Sequence, residues 1–549
     1  MQRIFAFAFI VVVFIAGVVM LELFPVTTVT SDGFVGSALR VSFSETDHFF
    51  DEDFAIVITA SLPFAEIFYT TDGSIPTINS QRYTGPLFFE VGENVETVVL
   101  RAIAVAGYET SATNTHTFFY GAGVHSRFDT LVFSLSTDQR NLHDFYTGIF
   151  TEGIVRQEYL AENPGANVTA LTPANFNQRG REWERPVYIE MFYPNGERAF
   201  MQAAGMRVTG GYARGEDIRS LRLIARREYS PQSGSFRYRF FPGDVSHDER
   251  GRAISEYDNI ILRNGGQDRQ HGILRHELGS VLARRAGFID VTPVRAAALF
   301  VNGEYHGHMW LQTRVDDNYL QRLYNAPRRD FDVLGRGEWV FRDITPEEEQ
   351  ALTYKNLFAW RDLTDDDEFA QLEAILDVDN MLRYYAFQIW VGNNDWPHDN
   401  LYRWRYTGEL SPGLPQELDG RWRFAMFSMD QTFGHIGGDY RRATLQPLME
   451  LEVFDGLLLR NVLTRPEMVE RFIEILHELM EYTLNYETIR EVLEELYGDI
   501  SNELGFALEA GLLNEGVTRE TIAQYHEDTL HFAANRHLYI LESLEYFFG

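Results

Sequence analysis

Hydrophobic periodicity changes character along this chain, and that change limits the folds open to it. From about residue 125 to 320, apolar residues fall in short runs typical of strands. After a polar stretch from Arg328 to Glu349 the pattern lengthens to amphipathic helices, as in Val469 to Tyr482 and His531 to Phe547. Strands first and helices second predict an α+β protein with segregated classes. One clear helix interrupts the strand-rich half: Ile273 to Ala286 places Leu274, Leu278, Val281 and Leu282 on one face. Asp377 and Asp379 are good caps for a second helix running through Met381 to Trp390. A length of 549 residues and 45% hydrophobic content allow two or three folded domains.

Two further segments precede that pattern. Ile4 to Leu21 is an unbroken run of 18 apolar residues behind Arg3, longer than a secretory h-region. No small-x-small cleavage site follows, only Glu22, Phe24 and Pro25. Residues 1–24 therefore read as an uncleaved signal anchor, with a removed signal peptide as the alternative. Either places the bulk of the protein outside the cytoplasm. Residues 25–40, rich in Thr, Ser, Gly and Val, read as a linker. Across 41–120 short strands recur: Ala55 to Ala60, Glu66 to Thr71, Val98 to Ala104 and Thr115 to Tyr120, with a tight turn at Asp72-Gly73 and a break at Thr84-Gly85-Pro86. They predict a small β-sandwich. The stretch from Ile67 through Asp72-Gly73 to Tyr83-Thr-Gly-Pro resembles the immunoglobulin-like (Ig-like) domain at the C-terminus of chitobiases and hexosaminidases. That resemblance implies a spacer or surface module.

Composition excludes several functions. A net charge of −32 argues against binding nucleic acid, whose partners display basic surfaces. The absence of cysteine rules out disulfides, zinc–thiolate sites and a Cys nucleophile. The chain holds one lysine, Lys355, and every other basic side chain except histidine is arginine.

At the junction of the two halves stand Asn394-Asp-Trp-Pro-His-Asp-Asn and then Phe424-Ala-Met-Phe-Ser-Met-Asp430. Phosphoryl transfer needs a carboxylate to orient the acceptor hydroxyl, and an amide oxygen with a second carboxylate to hold Mg²⁺. Asp395 and Asn400 have the five-residue separation of a protein kinase catalytic loop, and Asp430 follows an apolar strand. Alternatively, Asp395 and Asn400 cap the helix ending near Ile389-Trp390.

With these residues the chain resembles the CotH kinase family, the spore-coat protein CotH and its relatives. The matching stretches are Leu131-Val-Phe-Ser-Leu-Ser-Thr-Asp, Trp183-Glu-Arg-Pro-Val-Tyr-Ile-Glu, Arg219-Ser-Leu-Arg-Leu, Leu262-Arg-Asn-Gly-Gly, Val301-Asn-Gly-Glu-Tyr-His-Gly, the Asn394 to Asn400 loop and Phe427-Ser-Met-Asp430. The resemblance implies a two-lobed atypical protein-kinase-like fold over 125–549, with a strand-rich lobe at 125–320 and a helical lobe at 321–549. It implies ATP and Mg²⁺ as cofactors and Ser or Thr of surface or coat proteins as substrate. Asp395 would orient the acceptor hydroxyl; Asn400 and Asp430 would hold the metal. The family's strand lysine falls at Arg219, a departure, because a planar guanidinium does not replace an ammonium conservatively. Alternation along Leu221, Leu223 and Ala225 directs Arg219 into the cleft.

Glu277 is the analogue of the carboxylate that aligns the kinase lysine, or else a surface residue beside Arg275. His276 stands where relatives commonly carry Asp. Gly210 and Gly211, with Arg214 and Arg219, are candidate phosphate contacts. Eight arginines from Arg207 to Arg239 outnumber the three acids Glu216, Asp217 and Glu228, either as a phosphate pocket or as a solvated sheet face. Trp310 and Leu311, with Met309, line the adenine or belong to the core. His306 and His308 have strand spacing for a metal but no third ligand nearby, and Asp365 to Glu368 reads as a solvated turn. Two other functions compete: a non-catalytic kinase-like scaffold binding wall polymer or protein, and polysaccharide hydrolysis, for which no carboxylate pair stands out.

Overall fold

Residues 39–335, 338–339, 361–397, 400–435, 437–450 and 454–549 are described by a computed structural model. The apolar run from Ile4 to Leu21, nearly all of the 25–40 linker and Lys355 lie outside the described residues. Among the described residues no helix is long and apolar enough to cross a membrane. The architecture is mixed α+β: a β-rich N-terminal module, a closed barrel, and a helical region with a small sheet.

In the N-terminal module the stretch expected as one strand is two, Phe54–Ile56 and Ile58–Ala60, divided at exposed Val57. The first pairs with Leu87–Phe89 and the second with Val41–Phe43, so the chain changes partner at the break. These pairs face a sheet ordered Phe49–Phe50, Asn114–Tyr120, Glu96–Ala106, Glu66–Thr70 and Gln81–Arg82. Ile56, Ile58, Leu100, Ala102 and Phe118 fill the space between.

The module is packed onto the barrel, not held away from it as a spacer would be. Phe49 and Phe119 meet Phe128, Phe192 and Phe300 in a shared aromatic cluster. Beneath it Thr117 Oγ1 donates to Glu190 Oε2 at 2.8 Å, and Arg198 Nη1 reaches Glu190 Oε1 at 2.8 Å. Burial pushes the Glu190 carboxyl up to about 7, against the pull of Thr117 and Arg198. Gly73 turns at φ +79°, and a Cβ there would lie 2.1 Å from Asn302 Oδ1, so only glycine fits the seam.

The strand-rich half closes on itself. Seven strands run in the order Leu131–Ser136, Arg185–Phe192, Arg198–Val208, Leu221–Ile224, Asn259–Arg263, Glu304–Gln312 and Val294–Val301. The last closes the barrel by pairing parallel with the first, Leu131 opposite Ala297. Phe133, Ile189, Met206, Leu221, Leu223, Ile260, Leu262 and Leu311 point inward as one apolar core. A barrel filled in this way has no cleft inside it.

In the helical region Val378–Val391 is almost wholly buried, with Pro466–Tyr482, Tyr486–Glu509 and Arg519–Phe548 completing the core. Asp377 caps the first of these, accepting from Asn380 N at 2.9 Å, whereas Asp379 pairs with Arg383 and Arg471. A sheet ordered Glu338–Trp339, Phe331–Gly335, Tyr402–Tyr406 and Arg423–Ala425 lies alongside. The helix expected from Ile273 starts at Arg275, because Ile273 adopts φ +66°. Its Leu278 and Leu282 join the helical core, so this helix is the seam between barrel and helices.

Candidate functional site at the barrel–helix seam

Arg263 ends the Asn259–Arg263 strand. Because Ile260 and Leu262 point into the barrel, alternation turns Arg263 outward, toward the Arg275–Arg285 helix. Its Nη1 donates to Glu277 Oε1 at 3.0 Å, and its Nη2 donates to Asp430 Oδ1. One guanidinium from the barrel thus joins a carboxylate from the helix to a carboxylate from the loop after Arg423–Ala425. Glu277 has no exposure, and Arg263 and Asp430 are nearly buried.

Two carboxylates share one cation here, so one negative charge is in excess. Burial pushes Glu277 up to about 8, Arg263 pulls it down and Asp430 raises it further. Burial alone would discharge Arg263, but Asp430 and Glu277 outweigh it and hold its pKa above the usual value. Glu277 therefore holds a proton at neutral pH, while Arg263 keeps its charge.

Close packing keeps the three groups together. Gly266, at φ +60°, leaves a space in which a Cβ would come within 2.2 Å of Arg263 Nη2 and 2.7 Å of Asp430 Oδ2. A Cβ at Gly279 would lie 2.7 Å from Met429 Sδ, so the helix and the Asp430 loop approach closely. Across the same contact Met429 N donates to His276 Nδ1 at 3.2 Å. Burial, then Arg263, holds the His276 imidazole down to about 3, so it stays neutral and accepts.

The Asp395 loop reaches the same place. Asn394 N donates to Gln431 O at 3.0 Å, and Asn393 Nδ2 to Ser428 O at 3.3 Å, bracketing Asp430. Asn400 Nδ2 donates to Asp395 Oδ2 at 2.6 Å, which orients both side chains. Neither residue caps the preceding helix: Gly392, at φ +67°, ends it with its N–H on Gln388 and Ile389 carbonyls. Asp430 itself lies five residues beyond its strand, after Ser428 at φ +47°.

Arg219 is elsewhere, and the expected Arg219–Glu277 pair is corrected to Arg263–Glu277. The residues that share its alternation point into a packed barrel, not a cleft. Arg219 precedes the strand, donates to the carbonyls of Arg214 and Asp217 at 3.0 and 3.2 Å, and lies 4.6 Å over the Phe176 ring. Arg214 is buried and donates to the carbonyls of Gly210, Phe176 and Gln178. Gly210, Gly211, Arg214 and Arg219 form a self-satisfied loop, tied toward the site by Asn264, whose Nδ2 donates to Ile218 O at 2.7 Å, and by Gln270, whose Nε2 donates to Glu216 Oε1 at 3.1 Å.

Three more of those arginines have tertiary partners: Arg207 and Arg226 pair with Glu184, and Arg222 with Asp316. Trp310 and Leu311 line no adenine cleft. Trp310 lies in the helical core with Nε1 on Ile273 O at 3.3 Å, and Leu311 lies in the barrel core. Two cavities, of about 510 and 640 Å³, open beside Asp290, Asp377 and Arg423 and beside Asp244, Arg284 and Arg295, away from Asp430.

Sequence alone does not mark Arg263, Gly266 and Asn393 as site residues. The Leu262-Arg-Asn-Gly-Gly run was the signal for the first two: period-two alternation from Ile260 puts Arg263 outside.

Comparison with known protein families agrees with two of these regions. The model of the family described as "CotH kinase protein" matches residues 206–539, more than half of the chain, and spans Arg263, Glu277, Asp395 and Asp430. The model described as "Fn3 associated" matches residues 56–118, within the N-terminal module. No curated protein matches the chain.

Proposed function

The chain belongs to the CotH kinase family, and on that premise we propose that it transfers phosphate from ATP to Ser or Thr hydroxyls of extracytoplasmic proteins. The observation that carries this reading is Arg263 held between Glu277 and Asp430, the same relation of strand cation, helix carboxylate and metal-binding Asp that protein kinases use. In this reading Arg263, not Arg219, takes the lysine's part, and Glu277 aligns it. The lysine-poor composition is met by a side chain that binds phosphate bidentately.

Carboxylate and amide oxygens suit Mg²⁺, and Asp430 with Asn400 would hold it. The ion supplies charge neutralisation on the ATP phosphates when bound. Asp395, oriented by Asn400, accepts the proton of the acceptor hydroxyl as its oxygen bonds to the γ-phosphorus and the bond to the β-phosphate oxygen breaks. For nucleotide and metal to enter, Arg263 must release Asp430 and turn to phosphate while Glu277 keeps hold of Nη1. The apolar run Ile4 to Leu21 supports a membrane-anchored, extracytoplasmic location.

The test is a thermal-shift titration with Mg–ATP together with transfer of labelled γ-phosphate to a Ser/Thr-rich acceptor. We expect both signals in the unmutated protein, loss of both in Asp430→Ala, and loss of transfer with retained nucleotide binding in Asp395→Asn. A second reading, a non-catalytic scaffold, draws on the closed Arg263–Asp430 contact. A folded protein with no Mg–ATP shift and no transfer would establish it over the kinase reading.

A further inference from the structure

Among the described residues, one group of His and Asp side chains converges outside the residues assigned above: Asp268, His271 and His435, whose ligand atoms lie within 4.8 Å of one another. We propose that these three side chains bind one transition-metal cation of the zinc class, at a site distinct from Asp430 and independent of the phosphotransfer reading.

The two imidazoles come from different loops. His271 closes the short turn that follows Gly266, and His435 follows Gly434 in the loop beyond Asp430. Their ring centroids stand 4.7 Å apart. The Nδ1 atom of each is buried without a hydrogen-bond partner. Two adjacent imidazoles that each keep a buried ring nitrogen without a partner are an arrangement that folding alone does not favour, since each forgoes a hydrogen bond. A shared cation satisfies both at once.

Asp268 supplies the third ligand and sets the choice of ion. It is fully buried, accepts from Arg275 N at 2.9 Å, and pairs with Arg275 Nη1 at 2.5 Å. Its charge is therefore already balanced, and Arg275 orients the carboxylate as an outer-sphere partner orients a metal ligand. A hard ion such as Mg²⁺ or Ca²⁺ needs several oxygen donors and their negative charge. Two imidazoles and one neutralised carboxylate select instead a borderline ion, such as Zn²⁺ or Co²⁺. Bonds of about 2.0–2.2 Å require the ligand atoms to draw together by roughly 1–1.5 Å, within reach of ring rotation. Once bound, the ion would pin the Gly266 turn to the loop after Asp430, bracing the seam from behind.

The experiment uses the full chain in detergent, stripped with EDTA and titrated with Co²⁺. We expect one visible d–d absorption band saturating at one ion per chain, about tenfold or more weaker binding in His271→Ala and in His435→Ala, and no displacement by about a hundredfold excess of Mg²⁺. His247→Ala, remote from the cluster, should bind as the unmutated protein does. Each variant is read against the far-UV spectrum of the stripped parent; where alanine disrupts folding, His271→Asn and His435→Gln keep bulk and polarity and give the same readout. No band on the folded parent, or a band that survives in both histidine variants, overturns the proposal.

Discussion

Arg263 donates to Glu277 at 3.0 Å across the seam where barrel meets helices, and its other terminal nitrogen holds Asp430. This one side chain joins its strand to the helix that follows it and to a loop 167 residues on. Among the described residues neither carboxylate has another cation within ion-pair distance.

Removing the cation should therefore cost stability as well as function. Arg263→Ala leaves two carboxylates in a buried site, and breaking such a pair costs roughly 3–5 kcal/mol. Chemical denaturation of the variant measures this. Arg263→Lys should recover only part of the loss, since an ammonium cannot span both carboxylates in a planar fork. In parallel, Arg219→Ala should leave any Mg–ATP shift nearly intact, because that side chain serves backbone carbonyls.

The protonated carboxyl predicts a pH dependence. Glu277 titrates near 4.5 when unfolded and about 8 when folded, so the folded state binds the extra proton between those values. Stability from this group is complete below about pH 4.5 and falls as pH rises to about 8, the direction set by proton linkage. Glu190, raised to about 7, adds to the same slope. Melting temperature followed from pH 5 to 8 should decline in the parent and decline less in Glu277→Gln; an unchanged slope would place the proton elsewhere.

Gly266 tests the tightness of the cradle. In Gly266→Ala a Cβ meets the Arg263–Asp430 contact at φ +60°, so both sterics and backbone oppose it. We expect a loss of about 1–3 kcal/mol on denaturation, and loss of any Mg–ATP shift. Gly287→Ala is the control: φ is +90° but nothing lies within 4 Å of the new Cβ, so only backbone strain remains.

Docking of the N-terminal module makes a further prediction. Phe119 sits fully buried against Phe128, Phe192 and Phe300. Phe119→Ala should cost about 3–5 kcal/mol, the range for a buried aromatic truncated to alanine. Calorimetry of the parent should show module and barrel melting together; separate transitions, with the later one unmoved by Phe119→Ala, would mean the contact is weak.

Local pattern in the chain determined the segregation of strands from helices, the Asp377 cap, the helix carrying Leu278 and Leu282, and the family with its ordered motifs. These are matters of neighbours within a few residues, where periodicity and capping chemistry act directly. Tertiary structure alone decided that the strands close into a barrel, through the parallel pairing of Leu131–Ser136 with Val294–Val301, more than a hundred and fifty residues on. Closure turns one face of every strand into packed core. A basic side chain can then meet Glu277 and Asp430 only from the outer face at a strand end, and Arg263 stands there while Arg219 does not. Alternation says which residues share a face; it cannot say whether that face meets solvent, core or another element, because that depends on partners distant in sequence.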